Sequence, residues 1–293
     1  MLSKEVRWPK VVLPLLLICF LPYLSLAENI IFSSYISGNW EIWMIEPDGT
    51  NLVQLTHSRQ EKKSPAWSSD GKKIAYATNE GEIWIIEIGK EPKKLSYLPK
   101  NCAQPTWSPD GEKIAFVSYS FERGIENSDI WIADLTEQKA FKLIELPGTQ
   151  KDPDWSPDGN FIVYTTGYCG PGRRLIEEIW VIDIKSKVKR PLVSNRACNI
   201  EPDWSPDGEW IAFASDKTGD MEIYIVDKYG KNLRQLTHNK AYDVHPVWSP
   251  DGSKICFVST RTGKLDIFIM DRDGKNIRQL TNFPNSDNKE PDW

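Results

Sequence analysis

One pentapeptide recurs down the chain. Trp-Ser-Pro-Asp-Gly stands at Trp107–Gly111, Trp155–Gly159, Trp204–Gly208 and Trp248–Gly252, and Trp67–Gly71 is the same with Ser69 in place of proline. A sixth tryptophan, Trp293, is the last residue. Successive tryptophans are 40, 48, 49, 44 and 45 residues apart. A proline stands two residues before each: Pro65, Pro105, Pro153, Pro202, Pro246 and Pro291. A period of this length means that one supersecondary unit is copied along the chain and that neighbouring copies complete each other's cores.

The unit is made of strands. Each turn is followed by a short apolar run: Ile74–Thr78, Ile114–Ser118, Ile162–Thr166, Ile211–Ser215 or Ile255–Ser259. Ile30–Ser34 is a further copy. Next comes an acid-isoleucine-aromatic step, as in Glu41-Ile42-Trp43 and Asp129-Ile130-Trp131. A last short run closes the unit, clearest in Gln54-Leu55-Thr56, Gln235-Leu236-Thr237 and Gln279-Leu280-Thr281. In Ser-Pro-Asp-Gly, proline presets φ at the first corner, aspartate tolerates the second, and glycine takes positive φ. Four such strands per period of about 45 residues make a four-stranded antiparallel blade. The flat tryptophan suits the wedge between blades.

The expected fold is therefore an all-β, six-bladed β-propeller. Its blades are 29–56 with 289–293, then 63–96, 103–145, 151–193, 200–237 and 244–281. The C-terminal strand pairs with the N-terminal strands, which closes the ring and hides its sheet edges.

Ahead of the repeats lies a different segment. Lys4, Arg7 and Lys10 precede an apolar stretch from Val11 to Leu24, and Ser25-Leu26-Ala27 offers small residues at −3 and −1 of a cut after Ala27. That is the layout of a signal peptide over 1–27, leaving 28–293 as the exported domain. Pro14 and Pro22 break the stretch, which argues against a lasting membrane anchor, the alternative reading. The whole chain carries −5, and removing the charges of 1–27 leaves −7. An acidic domain is a poor duplex nucleic-acid binder, because that affinity comes from cations neutralising phosphates.

The Pro-x-Trp-Ser-Pro-Asp-Gly, Ile-Ala-Phe-x-Ser and Asp-Ile-Trp-x-x-Asp segments resemble the propeller of the TolB family, periplasmic components of the Tol–Pal envelope system. The resemblance runs over about 29–293. It implies a propeller used for protein–protein contact, without the α/β domain that precedes the propeller in that family. The same repeat is similar to those of prolyl-oligopeptidase-type and oligogalacturonate lyase propellers, so fold alone does not assign function.

Strand connectivity sorts the loops. The Ser-Pro-Asp-Gly turns share one face of the ring. The longer segments Tyr119–Ser128, Gly167–Glu177, Asp216–Met221 and Thr260–Leu265 share the other, where binding residues are expected. The residues before the six prolines, Ser64, Gln104, Asp152, Glu201, His245 and Glu290, should ring the channel mouth on that second face. Asp154, Asp203 and Asp292 lie two positions on, so six carboxylates approach one mouth. Carboxylates roughly 10 Å apart at an effective dielectric of about 20 repel by about 1.7 kcal/mol per pair. Three readings are open: a water-filled channel, a basic segment of a partner, or a hard cation such as Ca²⁺ at Asp152, Glu201 and Glu290. Arg173, Arg174 and Arg261 are candidate anchors on the rim.

Cys169 and Cys198, placed on the same face of adjacent parts of the ring, are the expected disulfide. The three histidines, His57, His238 and His245, are too scattered for a metal centre. No Gly-x-Ser-x-Gly elbow, Walker motif or dinucleotide fingerprint occurs. These features point to an exported, non-enzymatic scaffold that binds a protein or peptide through the long-loop face, with no catalytic residue and no resident cofactor. The alternative is a carbohydrate-binding or polysaccharide-lyase-like propeller, suggested by rim aromatics such as Tyr35, Trp40, Tyr119, Phe121, Tyr168 and Tyr242.

Overall fold

A computed structural model describes residues 28–122, 125–169 and 175–293. The proposed signal segment 1–27 lies outside the described residues. No helix among the described residues is long and apolar enough to cross a membrane.

Among the described residues, twenty-four strands account for the repeats. β1 (Ile30–Ser34), β2 (Glu41–Ile45) and β3 (Val53–Gln54) form one sheet with β24 (Asn288–Asp292), which pairs antiparallel with β1. β4 (Lys62–Trp67), β5 (Lys73–Thr78), β6 (Ile83–Glu87) and β7 (Lys93–Lys94) form the next. Then come β8 (Cys102–Trp107), β9 (Lys113–Glu122), β10 (Ile125–Asp134) and β11 (Lys139–Lys142). They are followed by β12 (Thr149–Trp155), β13 (Phe161–Cys169), β14 (Leu175–Asp183) and β15 (Lys189–Val193). β16 (Asn199–Trp204) to β19 (Arg234–Gln235) and β20 (Asp243–Trp248) to β23 (Arg278–Gln279) complete the chain.

The structure is an all-β propeller, but the expected division into six separate four-stranded blades is corrected. Hydrogen bonding gives four separate four-stranded sheets, and strands β8 to β15 form one continuous eight-stranded sheet. Two differences from the expected units cause this. First, the described parts of 119–128 and 167–177, expected as loops, are strand, so β9 and β10 run ten residues each and β13 and β14 nine each. Second, β10 meets β12 in a parallel pairing at Ser128 and Thr149. Ser128 Oγ donates to Gln150 O (2.9 Å) and accepts from Gln150 N–H (3.1 Å), which fastens the seam.

The core lies between neighbouring units. Val163, Ile179, Val181 and Leu192 pack against Trp204, Phe213 and Tyr224 of the following sheet. Ile30, Phe32 and Ile45 pack against Cys256, Ile267 and Ile269 at the junction of the chain ends. Each Ser-Pro-Asp-Gly turn is held by its own side chains. In one, Ser205 Oγ donates to Asp207 Oδ1 (2.6 Å) and accepts from Trp210 N–H (2.9 Å). The serine hydroxyls at Asp70, Asp110 and Asp251 and the carboxylates' further hydrogen bonds hold these aspartates below the usual carboxylate range. The Gln-Leu-Thr run has a similar local cause: Thr56, Thr237 and Thr281 hydroxyls accept N–H of Ile42, Ile223 and Ile267.

Candidate functional site

Every first strand carries a bulge at its proline. The register shifts between Lys63 and Ala66, Ala103 and Thr106, Lys151 and Asp154, Ile200 and Asp203, and Val244 and Val247. β24 shifts likewise where it meets β1. Proline cannot donate to the ladder, so a bulge is where a strand tolerates it. The residue before each proline takes a left-handed backbone: φ is 48° at Ser64, 51° at Gln104, 52° at Asp152, 56° at Glu201, 49° at His245 and 52° at Glu290. Such a conformation costs a non-glycine residue about 1–2 kcal/mol. All six line one cup in the central channel, with a volume of about 150 Å³.

The ring of side chains is laced together. Glu290 Oε2 accepts Ser64 N–H (2.7 Å) and the Ser33 hydroxyl (3.1 Å). Gln104 donates its amide to Asp152 and accepts Asp152 N–H (3.1 Å). Glu201 Oε2 accepts His245 N–H (2.7 Å), while Glu201 Oε1 lies 3.1 Å from His245 Nε2. Burial raises the Glu201 carboxyl, and the His245 ring opposes that rise.

Asp154, Asp203 and Asp292 form a second tier, one step deeper. Each accepts the backbone N–H of the next unit's tryptophan: Asp154 from Trp204 (2.8 Å), Asp203 from Trp248 (2.8 Å) and Asp292 from Trp67 (2.6 Å). Burial pushes all three carboxyls up, and mutual repulsion adds to this at Asp154 and Asp203. Asp292 reaches about 6. This tier lines both the mouth cup and a second cup of about 320 Å³ on the Ser-Pro-Asp-Gly side, where the six tryptophans lie. It is the waist of the channel.

The structure brings Asp152, Asp154, Glu201, Asp203, His245 and Glu290 together, as their positions before and after the prolines imply. What the residue types did not reveal is that Asp154 and Asp203 strap adjacent units. The readable signal was a proline inside a strand, which marks a bulge. Among the described residues, no group of three or more His, Cys, Asp or Glu side chains is arranged to hold a metal ion. Arg261 is not a free anchor: it pairs with buried Asp243 (2.8 Å) and lies over the Phe257 and Phe268 rings. Arg173 and Arg174 lie outside the described residues.

The expected Cys169–Cys198 disulfide is corrected. Cys198 is a free thiol that donates to Glu177 Oε2 (2.8 Å). Burial and the Glu177 carboxylate push it up to about 12, so it stays protonated as that donor. Cys102 and Cys256 are free and buried.

Several aromatic residues are exposed. Phe121 (71% exposed) and Tyr168 (46%) sit near the ends of the two long hairpins. Tyr35 and Tyr242 are exposed on other units, and Tyr35 packs edge-on against Trp40.

Comparison with known proteins places this geometry in a family. The TolB beta propeller domain matches residues 30–172 and 174–293. The TolB homolog of Chlorobaculum tepidum is 40% identical over 68 residues, which is 22% of this chain and 16% of that protein, so the matched stretch is a small part of its length. The solved structure of a putative TolB from Agrobacterium tumefaciens shares 26% identity, covers 86% of this chain and 88% of its own, and superposes with a TM-score of 0.71. TolB from Acinetobacter baumannii, at 22% identity, covers 92% of this chain and 67% of its own with a TM-score of 0.78. An oligogalacturonate lyase also shares the fold, at 15% identity and a TM-score of 0.64 over 87% of this chain and 74% of its own. The propeller fold is shared with these proteins, and the chain belongs to the TolB beta-propeller domain family.

Proposed function

We propose that the protein is a non-enzymatic scaffold, working outside the cytoplasm, that holds a basic segment of a protein partner at the long-loop mouth. One observation carries this reading. Six left-handed bulges line a single cup whose lining includes six carboxylates, one histidine and no lysine or arginine. Lys289 pairs with Glu290 beside the cup (3.7 Å), yet acidic groups outnumber cations at the mouth, and an acidic concave site draws an opposite charge and fixes its register. The exposed rings of Phe121, Tyr168 and Tyr242 offer apolar contact around it. The signal-like segment 1–27 and the Tol–Pal setting of TolB proteins support the extracytoplasmic location.

The test compares the protein with the variant Asp152→Asn, Glu201→Gln and Glu290→Gln as baits in cell-envelope extract. These replacements keep shape and hydrogen-bond acceptors while removing charge. The expected result is a protein retained by the native bait and reduced about tenfold or more on the folded variant, a loss of about 1.4 kcal/mol or more. Equal retention by both would contradict the reading.

A further inference from the structure

We propose that the seam between units 103–145 and 151–193 is a binding site for a buried water molecule, held by Asp129, Gln150 and Tyr164 as a fixed part of the structure. Asp129 Oδ1, both amide atoms of Gln150 and the Tyr164 hydroxyl are buried and have no hydrogen-bond partner in the protein. Asp129 is 6% exposed, and Gln150 and Tyr164 are fully buried. Both ends of the Gln150 amide are unpartnered, so exchanging its oxygen and nitrogen changes nothing.

Strand register brings the three residues together. Ser128 of β10 stands opposite Thr149 of β12 in the parallel seam, so Asp129 and Gln150 follow as neighbours. Gln150 pairs with Thr166 of β13, and Tyr164, two residues along, shares its face of the sheet. The equivalent residues meet elsewhere in the ring. Asp266 and Asn288 correspond to Asp129 and Gln150, and there Asn288 Nδ2 donates to Asp266 Oδ1 (3.1 Å). Tyr76 and Glu41 correspond to Tyr164 and Asp129. Burial raises the Tyr76 hydroxyl, and the nearby Glu41 carboxylate adds to the rise.

A replacement explains why this copy differs. Asp266 Oδ1 takes a second bond from the Thr281 hydroxyl (3.2 Å). Ile144 stands at the Thr281 position here and has no hydroxyl to give. It packs with Ile130 and Tyr164 in one apolar cluster. A buried donor or acceptor without a partner carries its full desolvation cost, and water buried in proteins typically makes about three hydrogen bonds to such groups. One water can donate to Asp129 Oδ1 and the Gln150 carbonyl and accept from the Gln150 amide or the Tyr164 hydroxyl. A cation is the poorer occupant, because Lys142 Nζ already neutralises Asp129 through Oδ2 (2.9 Å). β12 presents Asp152 to the mouth two residues after Gln150, so this water backs a strand that builds the mouth.

A high-resolution crystal structure of the full chain tests the proposal directly. It should show a water oxygen within about 2.7–3.2 Å of Asp129 Oδ1 and of a Gln150 amide atom. Direct bonding among the three side chains, or no density between them, would overturn it. Calorimetric melting gives a second readout, whose sign separates a wet seam from a dry one. Tyr164→Phe copies Phe32, Phe116, Phe213 and Phe257, which occupy the corresponding register positions. With water on the hydroxyl, the variant should melt about 2 °C or more below the native chain, because the water loses a partner. In a dry seam the change removes an unpartnered hydroxyl, so a melt at or above the native one would overturn the proposal. Gln150→Met, of similar length, should also melt about 2 °C or more lower, and a rise in its melt would count equally against a bound water.

Discussion

Asp292 shows how much one side chain does in this ring. Its carboxyl is raised to about 6 by burial, opposed by N–H donation from Trp67 and Trp293. In the unfolded chain it returns to the ordinary 3.8. The folded state therefore binds more protons between those values. Its contribution to stability is full below about pH 4 and is lost as pH rises through about 6. A shift of this size is worth about 3 kcal/mol. Asp292→Asn keeps an oxygen for Trp67 N–H but removes the titration. The melting temperature of the native protein should fall between pH 4 and 7, and that of Asp292→Asn should fall less steeply. Superimposable profiles would show that Asp292 titrates like an exposed carboxylate. Asp154 and Asp203 shift in the same direction, so the variant should keep part of the slope.

At the scale of the strand, β24 joins the two ends of the chain. Its loss removes the Glu290 and Asp292 bonds to Ser64 and Trp67 and the Trp293 indole bond to Glu28 O (2.9 Å). A chain ending at Lys289 should melt about 10 °C or more below the full chain in calorimetry, as expected for a loss of several kcal/mol. An unchanged melt would mean that β1 needs no partner on that edge. Strand positions and turns were legible in the sequence because Trp-Ser-Pro-Asp-Gly and the runs after it carry turn chemistry and apolar β-prone residues together. The extension of β9 and β10 was not, because Ser118 to Asp129 lacks a clean apolar alternation and is held by backbone pairing. That extension, with the Ser128–Thr149 seam, is why two units share one sheet. The positions of the mouth residues were readable from their prolines. Their left-handed backbones were not, since serine, glutamine, aspartate, glutamate and histidine share no preference for positive φ that spacing could expose. The Cys169–Cys198 pairing failed because shared face and compartment do not fix where a thiol points, and Cys198 turns to Glu177.

For the whole molecule, the two ends of the channel differ in chemistry. One end is a cup rich in carboxyl groups, and the other is a bowl of tryptophans and short turns. The interlaced bonds between units make the mouth a rigid template, so an arriving segment meets a site already arranged. The central claim is that the long-loop mouth is where a partner sits. Hydrogen exchange on the purified complex with the captured partner tests it most directly. The account predicts slowed exchange at the bulges around Ser64, Gln104, Asp152, Glu201, His245 and Glu290 and in the hairpins bearing Phe121 and Tyr168. Protection confined to the Ser-Pro-Asp-Gly face, with those bulges exchanging as in the free protein, would contradict it.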